Sequence, residues 1–286
     1  MSISGFTFIK NGEILGYPFV ESIKSLLPIV DEFVINIGES EDNTLEIIKN
    51  IQDPKIRIIT SKWNDKMQDR GYVYGQQKMI AQFNCTGDWA FYLEGDEVIH
   101  ENDYEKIINT CKKYKNDQDI EAIVFDYYHF YGNANSYLCS PGWYRKAPRI
   151  IKNSIRSYAP DGLFWLILDK NKTGRYPRAV HSNATIYHYG WVRSEEQMNL
   201  KSAKVQKYWG KKSKKIDYKE IDGNIIKEFK GTHPKVIQNW LPKDSTIFKV
   251  NPKHILTKKE RKHRLMLKIE KMFGLELSKK HYKLVK

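Results

Sequence analysis

Apolar and polar residues alternate along the first half of the chain with two different periods. GFTFIKNG (5–12) reads as a strand ending in a turn, EFVINIG (32–38) as a second strand and KIRIIT (55–60) as a third. Between them, PFVESIKSLLPIV (18–30) sets Phe19, Ile23, Leu26, Leu27, Ile29 and Val30 at helical spacing. SEDNTLEIIKNI (40–51) opens on cap-type residues and continues with Leu45, Ile47, Ile48 and Ile51, a second helix. Residues 72–84 read as a helix, 88–94 as a strand, 102–115 as a helix capped by Asn102 and Asp103, and 121–130 as a strand. This alternation predicts βαβ units and an α/β fold with a mostly parallel central sheet. Ligands of such sheets bind beyond the carboxyl ends of the strands.

From 131 to 190 the pattern turns aromatic and irregular, residues 194–209 read as a helix, and FKGTHPKVIQNWL (229–241) follows a polar loop. No repeat or low-complexity linker divides the chain. The expected organisation is one domain over 1–245, with halves 1–115 and 116–245, and a basic extension over 246–286. In the extension Thr257 and Glu260 form a T-x-x-E capping box. Leu265, Ile269, Met272 and Phe273 then share one helix face among lysines, and Gly274 ends the helix.

Composition refines this picture. The chain has 286 residues, 41% hydrophobic and 13% aromatic, enough for a sizeable core. Three cysteines without a C-x-x-C pair fit a reducing, cytoplasmic compartment. The first residues do not read as a signal peptide, and apolar runs such as LFWLIL (163–168) fall far short of a membrane span, so a soluble or peripheral protein is expected. The net charge is +14, but residues 253–286 alone carry +9 and leave +5 for the rest. The basic character is therefore mostly a property of the tail.

The candidate chemistry sits in WAFYLEGDEVIHEND (89–103). An apolar strand ends in Glu94, Asp96 and Glu97, with Gly95 between the first two offering backbone angles closed to other residues. Two carboxylates at i and i+2 can face a common volume, and hard oxygen ligands suit Mg²⁺ or Mn²⁺. A solvated acidic turn is the plainer alternative.

A second strand end, NIGESEDNT (36–44), carries Gly38, Glu39, Ser40 and Asp42 ahead of a helix. Together, segments 6–13, 36–44 and 87–97 resemble the nucleotide-sugar half of family 2 glycosyltransferases, which have the GT-A fold. GESEDNT keeps Ser40, Asp42 and Thr44 of that family's D-x-G-S-x-D-G-T run, and FYLEGDE matches its D-x-D metal motif, with Glu94 for the first Asp and Asp96 for the second. YPFVESIKSLLPIVDEFV, TGDWAFYLEGDEVIH, IYHYGWVR and FKGTHPKVI resemble landmarks of one bacterial subgroup, so the likeness runs from residue 4 to about 241. Ile37 or Gly38 stands where the family has its first, base-contacting Asp, which puts the donor base in doubt. No Q-x-x-R-W motif of processive members is present.

The resemblance implies a metal-dependent, inverting, non-processive transfer from a nucleoside-diphosphate sugar to a glycan or lipid-linked acceptor in surface-polysaccharide assembly. It implies donor contacts at Phe8, Asn11, Gly38, Glu39, Arg70, Lys78, Glu94 and Asp96, and a Mn²⁺ or Mg²⁺ ion on Asp96 and Glu94 with His188 as third ligand or phosphate contact, against the plainer reading of a core or strand-end His bonded to backbone. The expected catalytic base is Asp161 in YAPDGLFW, against the plainer reading of a Pro-Asp-Gly turn, with Asp126 in VFDYYHF as a second, weaker candidate. Trp143, Tyr144, Trp165 and Trp191 are expected along the acceptor groove, against a plain core role. The basic amphipathic tail suits an anionic membrane, which would place the protein at the inner face of the plasma membrane, against the equally plain reading of a surface helix packed on the domain with a solvated lysine face. The competing classes are a nucleic-acid-binding module, disfavoured by the weakly charged core, and a nucleotidyltransferase on a similar scaffold.

Overall fold

The computed structural model describes residues 1–243 and 249–285. The boundary expected between 245 and 246 lies outside the described residues. Apolar strands alternate with helices as the periodicity requires: β1 (Ile3–Ile9), α1 (Phe19–Leu26), β2 (Glu32–Gly38), α2 (Thr44–Lys49), β3 (Ile56–Ser61), α3 (Tyr72–Phe83), β4 (Trp89–Tyr92), β5 (Glu97–Ile99) and α4 (Tyr104–Tyr114). The later part adds β6 (Ala122–Tyr131), β7 (Asn133–Leu138), β8 (Lys146–Lys152), β9 (Ser157–Tyr158), β10 (Leu166–Leu168), β11 (Gly174–Arg175) and β12 (Arg178–Trp191). It closes with α5 (Glu195–Gln206), β13 (Ile226–Glu228), α6 (Lys258–Phe273) and β14 (Lys283–Leu284).

The main sheet runs β13-β7-β6-β8-β4-β1-β2-β3, with β12 beside β6 and contacting β5 and β14. Strands β4, β1, β2 and β3 are mutually parallel, as the alternating pattern demands. In the second half β8 and β7 join antiparallel, while the long β12 runs parallel to β6. Phe6, Phe33, Trp89, Phe91 and Phe125 are fully buried along these strands. Burying a side chain of that size contributes ~1.5–3 kcal/mol, so the sheet's two faces supply the main stabilisation.

Two local expectations are corrected. Asp103 precedes α4 but makes no capping bond; its Oδ2 instead accepts the Thr185 N–H at 2.9 Å and ties α4 to β12. Gly95 does not use a left-handed backbone, and an added Cβ there would meet nothing closer than 3.5 Å.

The capping box at Thr257 and Glu260 forms, and Gly274 ends α6 in a left-handed conformation. The tail is knitted into the sheet. β14 pairs parallel with β12, Arg264 grips Asp222 through two bonds of 2.7 and 2.8 Å, and His281 stacks on Phe164 with centroids 4.2 Å apart. The apolar stripe of α6 faces outward, with Leu265, Met272 and Phe273 all exposed. Its inner side is set by Leu267 and the buried Glu270.

Candidate active site

A cavity of about 360 Å³ opens beyond the carboxyl ends of β1 and β4. The chain leaving β1 lines one side with Phe8 to Asn11, and the turn after β4 lines the floor with Glu94, Gly95 and Asp96. Residues of α5 and the turn behind it, including Lys201, Lys204 and Tyr208, form the facing wall. Phe8, Trp63 and Tyr74 make an aromatic side, with Phe8 stacked on Tyr74 at 6.0 Å and on Tyr92 at 6.0 Å.

Strand register assembles the floor. β5 pairs antiparallel with β12, setting Glu97 opposite His188, and the Tyr189 N–H donates to the Asp96 carbonyl at 2.8 Å. His188 Nε2 thereby stands 3.6 Å from Asp96 Oδ1. Glu94, Asp96 and His188 each offer one ligand atom, all within 4.8 Å of one another. Gly190 leaves the room for this approach, since a Cβ there would lie 2.5 Å from His188 Nε2 and 2.9 Å from Asp96 Oδ2.

The acids of the turn sit in unlike surroundings. Glu97 is fully buried and consumed by Arg149, whose Nε and Nη2 donate to its two oxygens at 2.8 and 2.6 Å. The Tyr127 hydroxyl adds a third bond at 3.0 Å. Glu97 is thus a structural carboxylate. Glu94 receives a single Arg149 bond at 3.1 Å; burial and the neighbouring Glu97 charge push its carboxyl up to about 8, against the pull of Arg149. For Asp96, burial pushes upward, but Lys201, His188 and Arg193 together outweigh it and hold the carboxyl well below the usual range. The Lys201 ammonium lies 2.9 Å from Asp96 Oδ2.

The remaining sequence-predicted residues are spread more widely. Asn11 lines the cavity and locks its rim, its Oδ1 accepting the Glu41 N–H at 2.8 Å. Gly38 and Glu39 line a separate cleft beside α2, and Gly38 packs against the Trp63 indole. Arg70 is almost wholly exposed and pairs with Asp69. Lys78 is fully buried beneath the cavity, donating to the Gly162 carbonyl at 3.2 Å over the Trp165 ring at 3.6 Å, so its ammonium is not free to reach a phosphate. Asp161 caps its own turn, accepting the Leu163 N–H at 2.8 Å; the cavity wall begins at the next residues, Gly162 and Leu163. Trp191 lines the cavity and packs edge-on against Trp143 at 5.8 Å. Tyr144 lies edge-on to His129, and Trp165 is a core residue whose indole N–H donates to Gln82 at 2.7 Å.

Sequence reasoning missed Arg149, Lys201 and Arg193. The clearest signal was Arg149 itself, a lone cation inside the apolar strand segment APRII, where a buried carboxylate partner is required. Lys201 shares its polar helix with Lys204 and precedes the lysine-rich run 211–215, so nothing local distinguished it.

A sequence profile of glycosyl transferase family 2 matches residues 17–166, more than half of the chain. The chain belongs to this family, and its α/β sheet with a parallel core fits the expected GT-A class. Among curated proteins it is 24% identical over 203 residues to an uncharacterized glycosyltransferase of Rickettsia typhi, covering 69% of this chain and 63% of that protein. It is 28% identical over 134 residues to one of Mycoplasma genitalium, covering 46% of this chain and 41% of that protein. The chain thus spans less than two thirds of these relatives' length. Among solved structures, TarS of S. aureus superposes with a TM-score of 0.41 at 16% identity, covering 72% of this chain and 40% of TarS. Residues 1–349 of TarS in complex with UDP-GlcNAc give a TM-score of 0.39 at 14% identity, covering 72% of this chain and 66% of that one. No helix among the described residues is long and apolar enough to cross a membrane.

Proposed function

We propose that the protein transfers a single sugar from a nucleoside-diphosphate sugar to a hydroxyl acceptor, with a Mn²⁺ or Mg²⁺ ion held by Glu94, Asp96 and His188. The observation that carries this reading is the convergence of those three ligand groups on the floor of one cavity at the strand ends. Two carboxylates and an imidazole form a donor set suited to Mn²⁺. The pair formed by Asp96 Oδ1 and His188 Nε2 at 3.6 Å is too long for a hydrogen bond and has room for a cation. When bound, the ion would neutralise charge on the departing diphosphate.

The chain's own groups do the rest. Asp96 stays ionised because of the cations around it, and so presents a ready anionic ligand. Lys201 adds a fixed positive charge beside the leaving group's expected place. The rings of Phe8, Trp63 and Tyr74 give apolar faces against which a nucleoside can stack. Inversion by direct displacement requires a carboxylate to take the acceptor's proton. We assign that role to Asp161, whose carboxyl is raised by burial and which borders the lining residues Gly162 and Leu163. Trp191 would border the acceptor. The acceptor class is a glycan or lipid-linked glycan presented at an anionic cytoplasmic membrane surface. The exposed Leu265, Met272 and Phe273, set among the lysines of α6, suit that surface.

The test is a thermal-shift panel of UDP, GDP, dTDP and CMP, each with Mn²⁺ or EDTA, followed by nucleotide release from the matching sugar donors. A stabilisation by one diphosphate that EDTA abolishes and Asp96→Asn loses is expected. A panel without any metal-dependent shift would sink the reading.

A further inference from the structure

We propose that His129, a residue outside the ligand set, is a positioning residue that holds His188 in the tautomer able to ligate a cation. The inference rests on the metal reading above and is carried by a hydrogen-bond chain within the sheet. β6 and β12 run parallel with His129 and His188 paired in register, so both rings project from the same face. Their Nδ1 atoms lie 3.0 Å apart. The other nitrogen of His129, Nε2, lies 2.7 Å from the Tyr144 carbonyl oxygen.

A carbonyl only accepts, so His129 Nε2 carries a proton and donates it to Tyr144. The His129 ring is fully buried and its two hydrogen-bond partners are a carbonyl and another imidazole, so with Nε2 donating its Nδ1 is left with a lone pair. Of two Nδ1 atoms at 3.0 Å one must donate, and the donor is therefore His188. Neutral His188 then has its proton on Nδ1 and a bare lone pair on Nε2. That is the atom facing Asp96 Oδ1 at 3.6 Å. Two lone-pair carriers facing each other in a buried site repel unless a cation lies between them.

The His129 ring is held for this task. It is fully buried, stacked on Tyr127 with centroids 5.1 Å apart and edge-on to Tyr144 at 4.7 Å. An outer-shell group that sets a ligand's tautomer and angle typically changes metal affinity 10–100-fold when removed. Both strands carry a histidine between aromatic residues, YHF at 128–130 and YHY at 187–189, so the pairing has a trace in the sequence.

The test has two arms on the full chain. In metal-free protein labelled with ¹⁵N-histidine, long-range ¹H–¹⁵N correlation reads each ring's tautomer. The expected result is His188 protonated on Nδ1 and His129 on Nε2; a His188 protonated on Nε2 overturns the proposal without any variant. In the second arm, Mn²⁺ is titrated alone by water-proton relaxation. His129→Phe should weaken binding about 10–100-fold, and His129→Asn, whose amide oxygen can accept from His188 Nδ1, should recover most of it. Equal Mn²⁺ affinity in the wild type and His129→Phe overturns the positioning role. A wild type that binds no Mn²⁺ overturns the metal reading instead, and the tautomer spectra tell the two failures apart.

Discussion

Lys201 and Asp96 form an ion pair at 2.9 Å across 105 positions of sequence, at the point where a divalent ion is proposed to bind. The ammonium also lies 4.6 Å from the Tyr17 ring centre and 3.3 Å from the Gly190 carbonyl, so it is held rather than loosely placed. Two cations sharing one carboxylate repel each other. Replacing Lys201 by Met should therefore tighten binding of Mn²⁺ alone, by roughly 3–10-fold for a partly screened charge pair. The same variant should raise the KM for the donor, because a positive charge near the diphosphate is lost. Calorimetric titration and steady-state kinetics read the two effects separately. A loss of Mn²⁺ affinity would show that Lys201 supports the metal rather than competing with it.

Arg149 is the structural partner of the acidic turn. It is completely buried, and removing it leaves Glu97 buried without its cation and Glu94 without its one arginine bond. Arg149→Leu is expected to cost about 3–5 kcal/mol in urea unfolding. Arg149→Lys should recover only part of this, because an ammonium cannot reproduce the two-bond fork on Glu97. Wild-type stability in Arg149→Leu would show that Glu97 does not depend on its arginine.

Two glycines should respond oppositely to a methyl group. In Gly190→Ala the new carbon collides with His188 Nε2 and Asp96 Oδ2, so Mn²⁺ binding should be lost. In Gly95→Ala the nearest atom is 3.5 Å away and the backbone is an ordinary one, so stability should change by less than about 1 kcal/mol. Thermal melts with and without Mn²⁺ compare them directly.

His281 should give the tail an acid-sensitive attachment. Burial, with Lys279, Arg149 and Lys78 nearby, lowers its imidazole to about 4. A base held low in the folded state takes up protons more readily once unfolded. Its contribution is therefore fully present above the unfolded value of about 6.5 and is lost as pH falls from there toward 4. Other buried imidazoles, including His129 and His188, act in the same direction, so the prediction concerns a difference. His281→Phe, which keeps the stack on Phe164, should flatten the stability profile between pH 6.5 and 4. An unchanged slope would show that His281 titrates normally.

Local pattern made the parallel half of the fold readable. Strands β1 to β4 are short apolar runs and their helices are amphipathic, so each declared itself within a dozen residues. The turn at Glu94 and Asp96 stands out for the same reason, as carboxylates directly behind an apolar strand, though its third acid, Glu97, is consumed by Arg149. His188 joined them only through the family resemblance. What stayed hidden depends on register between distant strands. Arg149 meets Glu97 across 52 positions, and His129 meets His188 across 59. Even the aromatic-flanked histidines of YHF and YHY do not show that they face each other, because register is fixed by the whole sheet. The tail shows the limit in the other direction. Its apolar stripe and cap follow from its own pattern, but the contacts that orient the helix, from Arg264, Glu270 and Leu267, do not.

The central claim, a divalent ion on Glu94, Asp96 and His188, is tested most directly by an anomalous difference map. Crystals soaked with Mn²⁺ and a nucleoside diphosphate should give a peak between Asp96 Oδ1 and His188 Nε2, at about 2.0–2.3 Å from each. A map that is empty there while the nucleotide is bound would contradict the account and leave the diphosphate's charge to cavity lysines such as Lys201 and Lys204.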